Sequence, residues 1–364
     1  MSDPTSFMRH AVRIAGKAKG KANPNPTVGS VIVKNGKIVG EGVTSALGGP
    51  HAEINAMKQA GSSAKNAELY VTLEPCSFHG RTPPCCEAIV QAGITKIYCA
   101  LQDPDKRVRG KGLKYLRQHG IEVEVGLLKK QATDLHATYL THRKNGRPHF
   151  VLKLAQSLDG QIATHSGDSK WITGIKARRH VHRWRSFVDA VVIGANTLNL
   201  DNPKLTVRHV KGKNPRPIVI DGRLNSNPKS SLFSRPGTIL VTGKNTSTLK
   251  RHAIAQTGTE VWTFSTRNGV IDLNDFARRA GENEIVSAIV EGGGQLATSF
   301  LKAQLIDNVH IYQAPRILGN GIAGIGELNI KVITESLKLN EVNTRRLGTD
   351  ILYSAKVEYP CLPG

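Results

Sequence analysis

The chain is poor in the side chains that stack on unpaired bases, since Phe, Trp and Tyr make up only 5% of its 364 residues. Platforms for single-stranded nucleic acid are therefore scarce. Cysteine is sparse too: five residues, an odd number with no regular spacing, argue against a disulfide scaffold and fit a reducing compartment. No apolar run approaches the ~18 residues of a membrane helix. The first ten residues also lack a basic stretch followed by an apolar one. The expectation is a cytoplasmic protein with no membrane partner. Acidic residues are the last shortage, 28 against 50 Lys and Arg, which leaves a net charge of +22. A surface of that sign attracts nucleic acid, acidic membranes or phosphorylated metabolites, and charge alone does not choose among them.

The length exceeds the ~250–300 residues at which single cores stop growing, so two domains are expected. Apolar spacing at Phe7, Met8, Ala11, Ile14 and Ala15 predicts an opening amphipathic helix that ends in the Lys/Gly stretch 17–21. A hairpin follows, with β-branched runs at 28–33 and 37–43 joined by Asn35-Gly36, a dipeptide that accepts the positive φ of a tight turn. Helices are then predicted at 51–60, 84–92, 112–119 and about 130–143, alternating with strands at 68–73, 96–100 and 121–125, the pattern of an α/β layered sheet. Residues 143–148, Arg-Lys-Asn-Gly-Arg-Pro, combine charge, a turn dipeptide and proline, and form the best linker. Behind it, buried-looking runs at 150–154, 188–193, 217–220, 238–241, 261–264 and 285–290 announce a second α/β domain. The boundary is placed between 1–145 and 146–364.

His51-Ala52-Glu53 opens a predicted helix, Pro75-Cys76 follows a strand, and Cys85 comes nine positions after Cys76. One histidine and two cysteines supply three zinc ligands and leave the fourth tetrahedral position for water, as in a catalytic site. Zinc would make hydroxide available to attack an amidine carbon. Glu53, close to the histidine and not needed as a ligand, can carry protons as general acid and base. His-x-Glu with Pro-Cys is the zinc-deaminase signature, here with a longer gap than Cys-x-x-Cys. Pro83-Pro84 before Cys85 suits a helix start, whose dipole favours a thiolate. Cys86 is a competing ligand, Cys99 reads as core and Cys361 as tail.

The stretch Tyr70-Val-Thr-Leu-Glu-Pro-Cys76-Ser-Phe-His-Gly-Arg-Thr-Pro-Pro-Cys85, with Asn23-Pro-Asn-Pro-Thr-Val-Gly29 and His51-Ala-Glu53, closely resembles the deaminase domain of the bifunctional riboflavin-biosynthesis deaminase/reductase family. The resemblance implies that His51, Cys76 and Cys85 hold zinc and Glu53 relays protons on a cytidine-deaminase-like, three-layer fold. One departure is Phe78, where many relatives have a second histidine before His79.

In the second half, Glu291-Gly292-Gly293-Gly294 follows a buried strand and precedes a helical segment. Such a turn lets backbone N–H groups approach a phosphate. A plain tight connection is the alternative, and Gly-x-Gly-x-x-Gly is absent. The motifs Lys153-Leu-Ala-Gln-Ser-Leu-Asp-Gly160, Ser169-Lys-Trp-Ile-Thr173, Asp189-Ala-Val-Val-Ile-Gly-Ala-Asn-Thr197, Asp201-Asn-Pro203 and Ala314-Pro-Arg-Ile-Leu-Gly319 resemble the reductase domain of the same family, in order. The implied fold is a dihydrofolate-reductase-like α/β domain with NADPH as hydride donor. By resemblance, Ala155, Trp171, Thr197, Asp201 and the run Gly293, Gly294, Gln295, Leu296, Ala297, Thr298 and Ser299 contact NADP. Ser169, Arg185, Leu205, Arg208 and Glu291 contact the substrate. Other readings remain for three of them: Trp171 as packing, Arg185 as a solvated helix charge, Asp201 as a turn former.

The activity implied is deamination of 2,5-diamino-6-(5-phosphoribosylamino)pyrimidin-4-one, then reduction of its ribosyl group to ribityl. The partners implied are a phosphorylated pyrimidine and no nucleic acid, and a homo-oligomer is compatible. A tRNA-type editing deaminase shares the His-x-Glu and Pro-Cys parts but accounts for neither the longer cysteine loop nor the second domain. A zinc-stabilised binding module would use a closed four-ligand site.

Overall fold

A computed structural model describes residues 3–80 and 83–360. The chain divides into two compact units, Met1–Gly146 and Arg147–Gly364.

The first unit opens with α1 (Pro4–Lys17), capped by the Asp3 carboxylate accepting from Thr5 N and carrying Pro4 at its first position. Its buried face is Phe7, Met8, Ala11 and Ala15, the spacing the sequence predicts. β1 (Gly29–Lys34) and β2 (Lys37–Val43) form the expected hairpin. Asn35 (φ 50°) and Gly36 (φ 74°) both take the positive φ that its turn demands. Then come α2 (Ala52–Ala60), β3 (Glu68–Val71), α3 (Cys85–Gln91), β4 (Lys96–Cys99), α4 (Lys111–Gln118), β5 (Glu122–Val125), α5 (Lys129–Leu135) and α6 (Ala137–Asn145). The sheet order is β2-β1-β3-β4-β5, antiparallel across β1 and parallel from β3 to β5. β1 is buried along five of its six residues, as a strand covered on both faces is. Its glycine sets how close α1 comes: a Cβ on Gly29 would stand 2.1 Å from the Ala11 carbonyl oxygen. The single helix expected over about 130–143 is two helices. His136 breaks it, buried, with Nε2 3.1 Å from Thr72 Oγ1 on the strand side.

The second unit contains β6 (His149–Gln156), β7 (Gln161–Ala163), α7 (Ile175–Arg185), β8 (Ala190–Gly194), α8 (Ala195–Asp201), β9 (Arg216–Asp221), β10 (Ile239–Gly243), α9 (Thr248–Ala255), β11 (Glu260–Phe264), β12 (Thr266–Arg267), β13 (Val270–Ile271), α10 (Leu273–Glu282), β14 (Ser287–Val290), α11 (Gly294–Lys302), β15 (Ile306–Gln313), β16 (Ile322–Ala323), β17 (Lys338–Leu347) and β18 (Asp350–Glu358). Nine strands make one sheet, β11-β10-β9-β8-β14-β6-β15-β18-β17, parallel from β11 to β15 and closed by an antiparallel hairpin. Alternate residues of the parallel strands feed two cores: Val192, Ile218 and Val241 enter one, Val191, Val219 and Leu240 the other. The expected strand over 188–193 begins two residues later, because the Asp189 carboxylate instead accepts from the backbone N–H of Val286 and Ser287.

Candidate active sites

In the first unit, α2 carries two of the side chains at issue. His51 is its N-cap, with extended backbone (φ −72°, ψ 167°), and Glu53 lies in the first turn. Bare backbone on β2 brings this helix onto the sheet. A Cβ on Gly42 would lie 2.3 Å from Ala52 O and 2.5 Å from Ala56 N, and one on Gly40 would lie 2.3 Å from Ala56 O. Cys76 follows β3 in a loop held by Glu74. That buried carboxylate accepts from four backbone N–H groups, of Asp103 (3.1 Å), Gly110 (3.0 Å), Gly112 (3.1 Å) and Leu113 (3.3 Å). Gly112 completes the clamp, since a Cβ there would meet Pro75 O at 2.2 Å. Cys85 is the first residue of α3, and its N–H donates to Cys76 Sγ at 3.4 Å.

These elements bring His51 Nδ1 to 3.3 Å from Cys85 Sγ and 3.6 Å from Cys76 Sγ, with all three donor atoms within 4.8 Å of one another. One nitrogen and two sulfurs at that separation fit three corners of a tetrahedral zinc site. Cys86 turns elsewhere, its sulfur directed at Pro75 O (3.4 Å) and Gly112 O (3.6 Å) within the core. Cys99 is core as expected, with its thiol toward Leu101 O. Cys361 lies outside the described residues.

The hydrogen bond from Cys85 outweighs burial and, with His51, brings the Cys76 thiol down to about 4. Cys85 is pushed up by that same bond and by burial. The bond to Cys76 raises His51. Glu53 is buried, and desolvation, reinforced by the Cys76 charge, lifts its carboxyl to about 7. A dication among the ligands acts in the opposite sense on these rises. A carboxyl poised near neutrality can both take and give a proton.

In the second unit, β8 and β14 are parallel neighbours, and each runs at its C-terminal end into a helix, α8 and α11. A crevice at the carboxyl ends of adjacent parallel strands is the usual ligand position in such sheets. Gly293 N donates to Thr197 Oγ1 at 3.3 Å and so ties the two turns together. Gly293 caps α11, and a Cβ on Gly294 would meet Ala323 O at 2.2 Å. Thr298 Oγ1 bonds Gly294 O and accepts from Gly326 N, Ser299 Oγ bonds Gln295 O, and Gln295 is exposed. Leu296 is half-buried and Ala297 is core. Ala155 sits half-buried on β6.

Arg185 and Glu291 meet each other. The guanidinium forks the carboxylate with both N···O distances 2.7 Å, and Nη1 reaches Thr206 O at 3.2 Å. Side-chain exposures of 12% and 7% rule out a solvated helix charge at Arg185. Burial favours a neutral Glu291, yet Arg185, with Lys153 and His182, overrides it and holds the carboxyl at about 2. Burial in turn disfavours the charged form of Lys153. His182 accepts from Arg208 N at 3.0 Å. The Arg208 side chain itself is exposed, with Nη1 3.4 Å from Thr206 Oγ1.

Trp171 is 60% exposed, with the Arg178 guanidinium 4.5 Å over its ring, so the packing alternative fails. Asp201 ends α8, its carboxylate 3.8 Å from Lys170 Nζ, and Ser169 is half-buried in the same loop as Lys170. Leu205 holds φ at +47° and buries its side chain beside Leu198 and Phe233, so only its backbone can face a ligand. Glu74, Lys153 and His182 carry site geometry that the sequence reading did not assign. Glu74 and Lys153 stand inside motifs quoted for the resemblance, which was the one available signal.

The family described as "Cytidine and deoxycytidylate deaminase zinc-binding region" matches residues 1–101, and "RibD C-terminal domain" matches 148–353. The riboflavin biosynthesis protein RibD of Aquifex aeolicus is 41% identical over 95% of this chain and 96% of its own. That of Escherichia coli is 36% identical over 95% and 97%. Among solved structures, Acinetobacter baumannii RibD has a TM-score of 0.88 at 33% identity, covering 97% of this chain and 98% of that one. The Thermotoga maritima diaminohydroxyphosphoribosylaminopyrimidine deaminase/5-amino-6-(5-phosphoribosylamino)uracil reductase has a TM-score of 0.82 at 33% identity, with the same coverage.

Proposed function

The chain belongs to the RibD family of bifunctional riboflavin-biosynthesis deaminase/reductases, and from that premise we propose the residues that carry its two reactions and the compounds on which they act. Its N-terminal domain is a cytidine-deaminase-like, zinc-dependent deaminase, its C-terminal domain a dihydrofolate-reductase-like reductase, and its cofactors are zinc and NADPH. The editing-deaminase alternative finds no support in these relatives, which are riboflavin-biosynthesis proteins along nearly their whole length.

The first substrate is 2,5-diamino-6-(5-phosphoribosylamino)pyrimidin-4-one, handled by residues 1–145. His51, Cys76 and Cys85 hold zinc; the observation that carries this reading is their convergence within 4.8 Å beside buried Glu53. When bound, zinc supplies the Lewis acidity that makes water nucleophilic near neutral pH. Glu53, buried beside the cluster, would take one proton from the attacking water and pass it to the ring nitrogen, then carry the second, from the added hydroxyl, to the amino group that leaves as ammonia. The Cys85 N–H and the α3 N-terminus stabilise the Cys76 thiolate.

Residues 146–364 reduce the deaminated product. Ala155, Trp171, Thr197, Asp201 and Gly293 to Ser299 hold NADP, with Leu296 and Ala297 contributing backbone. Ser169, Arg185, Leu205, Arg208 and Glu291 hold the substrate, Glu291 being kept anionic by Arg185 so that it accepts from substrate hydroxyl or N–H groups. NADPH supplies the hydride to the sugar carbon held against it. No nucleic acid is a partner in this reading, and among the described residues no helix is long and apolar enough to cross a membrane and no cysteine is in a disulfide, which suits the cytoplasm. A homo-oligomer fits it. Ammonia release and NADPH oxidation measured on the phosphoribosylamino-pyrimidine, beside a tRNA control, test it: both steps on the pyrimidine and neither on tRNA are expected.

A further inference from the structure

The residues assigned to the first step handle the pyrimidine and its protons, and none of them is a cation for the substrate's phosphate. Phe78 lies two residues beyond Cys76, and the Arg107 guanidinium stacks over its ring at 4.9 Å. Two extended residues span at most about 7 Å, so the guanidinium rests against the same loop that carries the metal ligand Cys76.

Arg107 is built into place. Its Nε and Nη2 fork Asp105 (3.0 Å to Oδ1, 2.6 Å to Oδ2), and its backbone N–H donates to the same carboxylate at 3.0 Å. Asp105 N is bonded to Asp103 Oδ1, and Asp103 accepts from Tyr139. The loop carrying all three is clamped to the cysteine loop by Glu74. Arg143 Nε also stands 3.7 Å from Asp105, so two guanidinium groups share that carboxylate, with Asp103 the second acid of the cluster. Of the two, Arg107 faces solvent, its side chain 59% exposed against 28%, and exposed Lys106 and Arg109 add to the same potential. A guanidinium whose rotamer is already fixed by a fork and a stack loses little entropy when its free edge meets an oxyanion.

We propose that Arg107, aimed by Phe78 and Asp105, binds the phosphate of the deaminase substrate and makes the first reaction selective for the phosphorylated compound. The proposal rests on the reading of the His51/Cys76/Cys85 cluster as the deaminase centre.

The test is ammonia release by the full chain from the phosphoribosylamino-pyrimidine and from its phosphate-free riboside, in wild type, Arg107→Gln, Arg107→Lys and Phe78→Leu. The wild type should favour the phosphorylated compound through KM and be inhibited competitively by inorganic phosphate. Arg107→Gln should raise KM for the phosphorylated compound about 10–100-fold, leave KM for the riboside and kcat within about twofold, and weaken phosphate inhibition in parallel. Arg107→Lys and Phe78→Leu should fall between. Zinc content and the reductase rate should not move. Equal KM rises on both compounds would mean a merely structural arginine and overturn the proposal. So would an unchanged KM, or a wild type indifferent to the phosphate. A wild type that releases no ammonia from either compound overturns the deaminase reading itself. If Arg107→Gln does not fold, Arg107→Lys and phosphate inhibition of the wild type decide.

Discussion

Cys85 and Cys86 are adjacent in the chain, yet their sulfurs serve different surroundings: that of Cys85 lies 3.3 Å from His51 Nδ1, while that of Cys86 is directed at the carbonyl oxygens of Pro75 and Gly112. Successive residues on a helix point about 100° apart, so the start of α3 admits only one of them to the cluster. Cys86→Ala should keep zinc and deamination and cost about 1 kcal/mol of stability, whereas Cys85→Ser should lose metal. Metal analysis of the two purified variants checks this, and zinc lost from Cys86→Ala but retained in Cys85→Ser would reverse the assignment.

His136 should make its own contribution to stability fall away as the solution becomes weakly acidic, against the opposite contribution of the raised Glu53 carboxyl. His136 is buried against Thr72, and burial lowers it to about 4. Below its ordinary value of 6.5 the unfolded chain takes up a proton that the folded chain refuses, so the stabilisation present above that pH drains away as pH falls from 6.5 toward 4, about 3 kcal/mol in all. His182, also lowered to about 4, acts in the same sense in the second unit. Urea unfolding followed between pH 7 and pH 4.5 (roughly the working window) should show wild type losing stability relative to His136→Gln as pH falls. An identical pH dependence in variant and wild type would contradict the assignment.

For the second reaction, Arg208→Ala should raise KM for the reduction and leave ammonia release intact, since a contact made in ground and transition states alike contributes uniform binding. The substitution keeps the backbone N–H that His182 accepts, and the removed side chain is exposed, so the fold should hold. A truncated chain starting at Arg147, not later, is the companion test. The Arg147 guanidinium forks Asp307 (2.8 and 2.9 Å), so a later cut removes that ion pair and leaves the carboxylate only the Phe150 N–H and His149. A folded truncated chain with no NADPH affinity would count against the two-site account.

The parts legible in sequence were those with local chemistry. Asn35-Gly36 announced its hairpin, the apolar period of 7–15 its helix, and the signature residues their cluster. What stayed hidden depends on tertiary partners. The break at His136 comes from a hydrogen bond across 64 residues. β17 is exposed at nine of its ten residues, so no apolar alternation marks it, and β15 carries Asp307 and Asn308 at its start. Glu74 follows the predicted strand with nothing in the sequence to single it out, and only the fold shows four N–H groups converging on it. Leu205, a substrate contact by resemblance, has a positive φ and its side chain in the core, neither of which is marked in the sequence.

The central claim is that Glu53 carries protons beside a metal it does not hold. Glu53→Gln preserves the volume of the side chain and removes its charge and its proton. Zinc content should remain at the wild-type level and ammonia release should fall by about 10²–10⁴-fold, with NADPH-dependent reduction of the supplied intermediate unchanged. Deamination at near the wild-type rate, or zinc loss as complete as that of Cys76→Ser, would contradict the account.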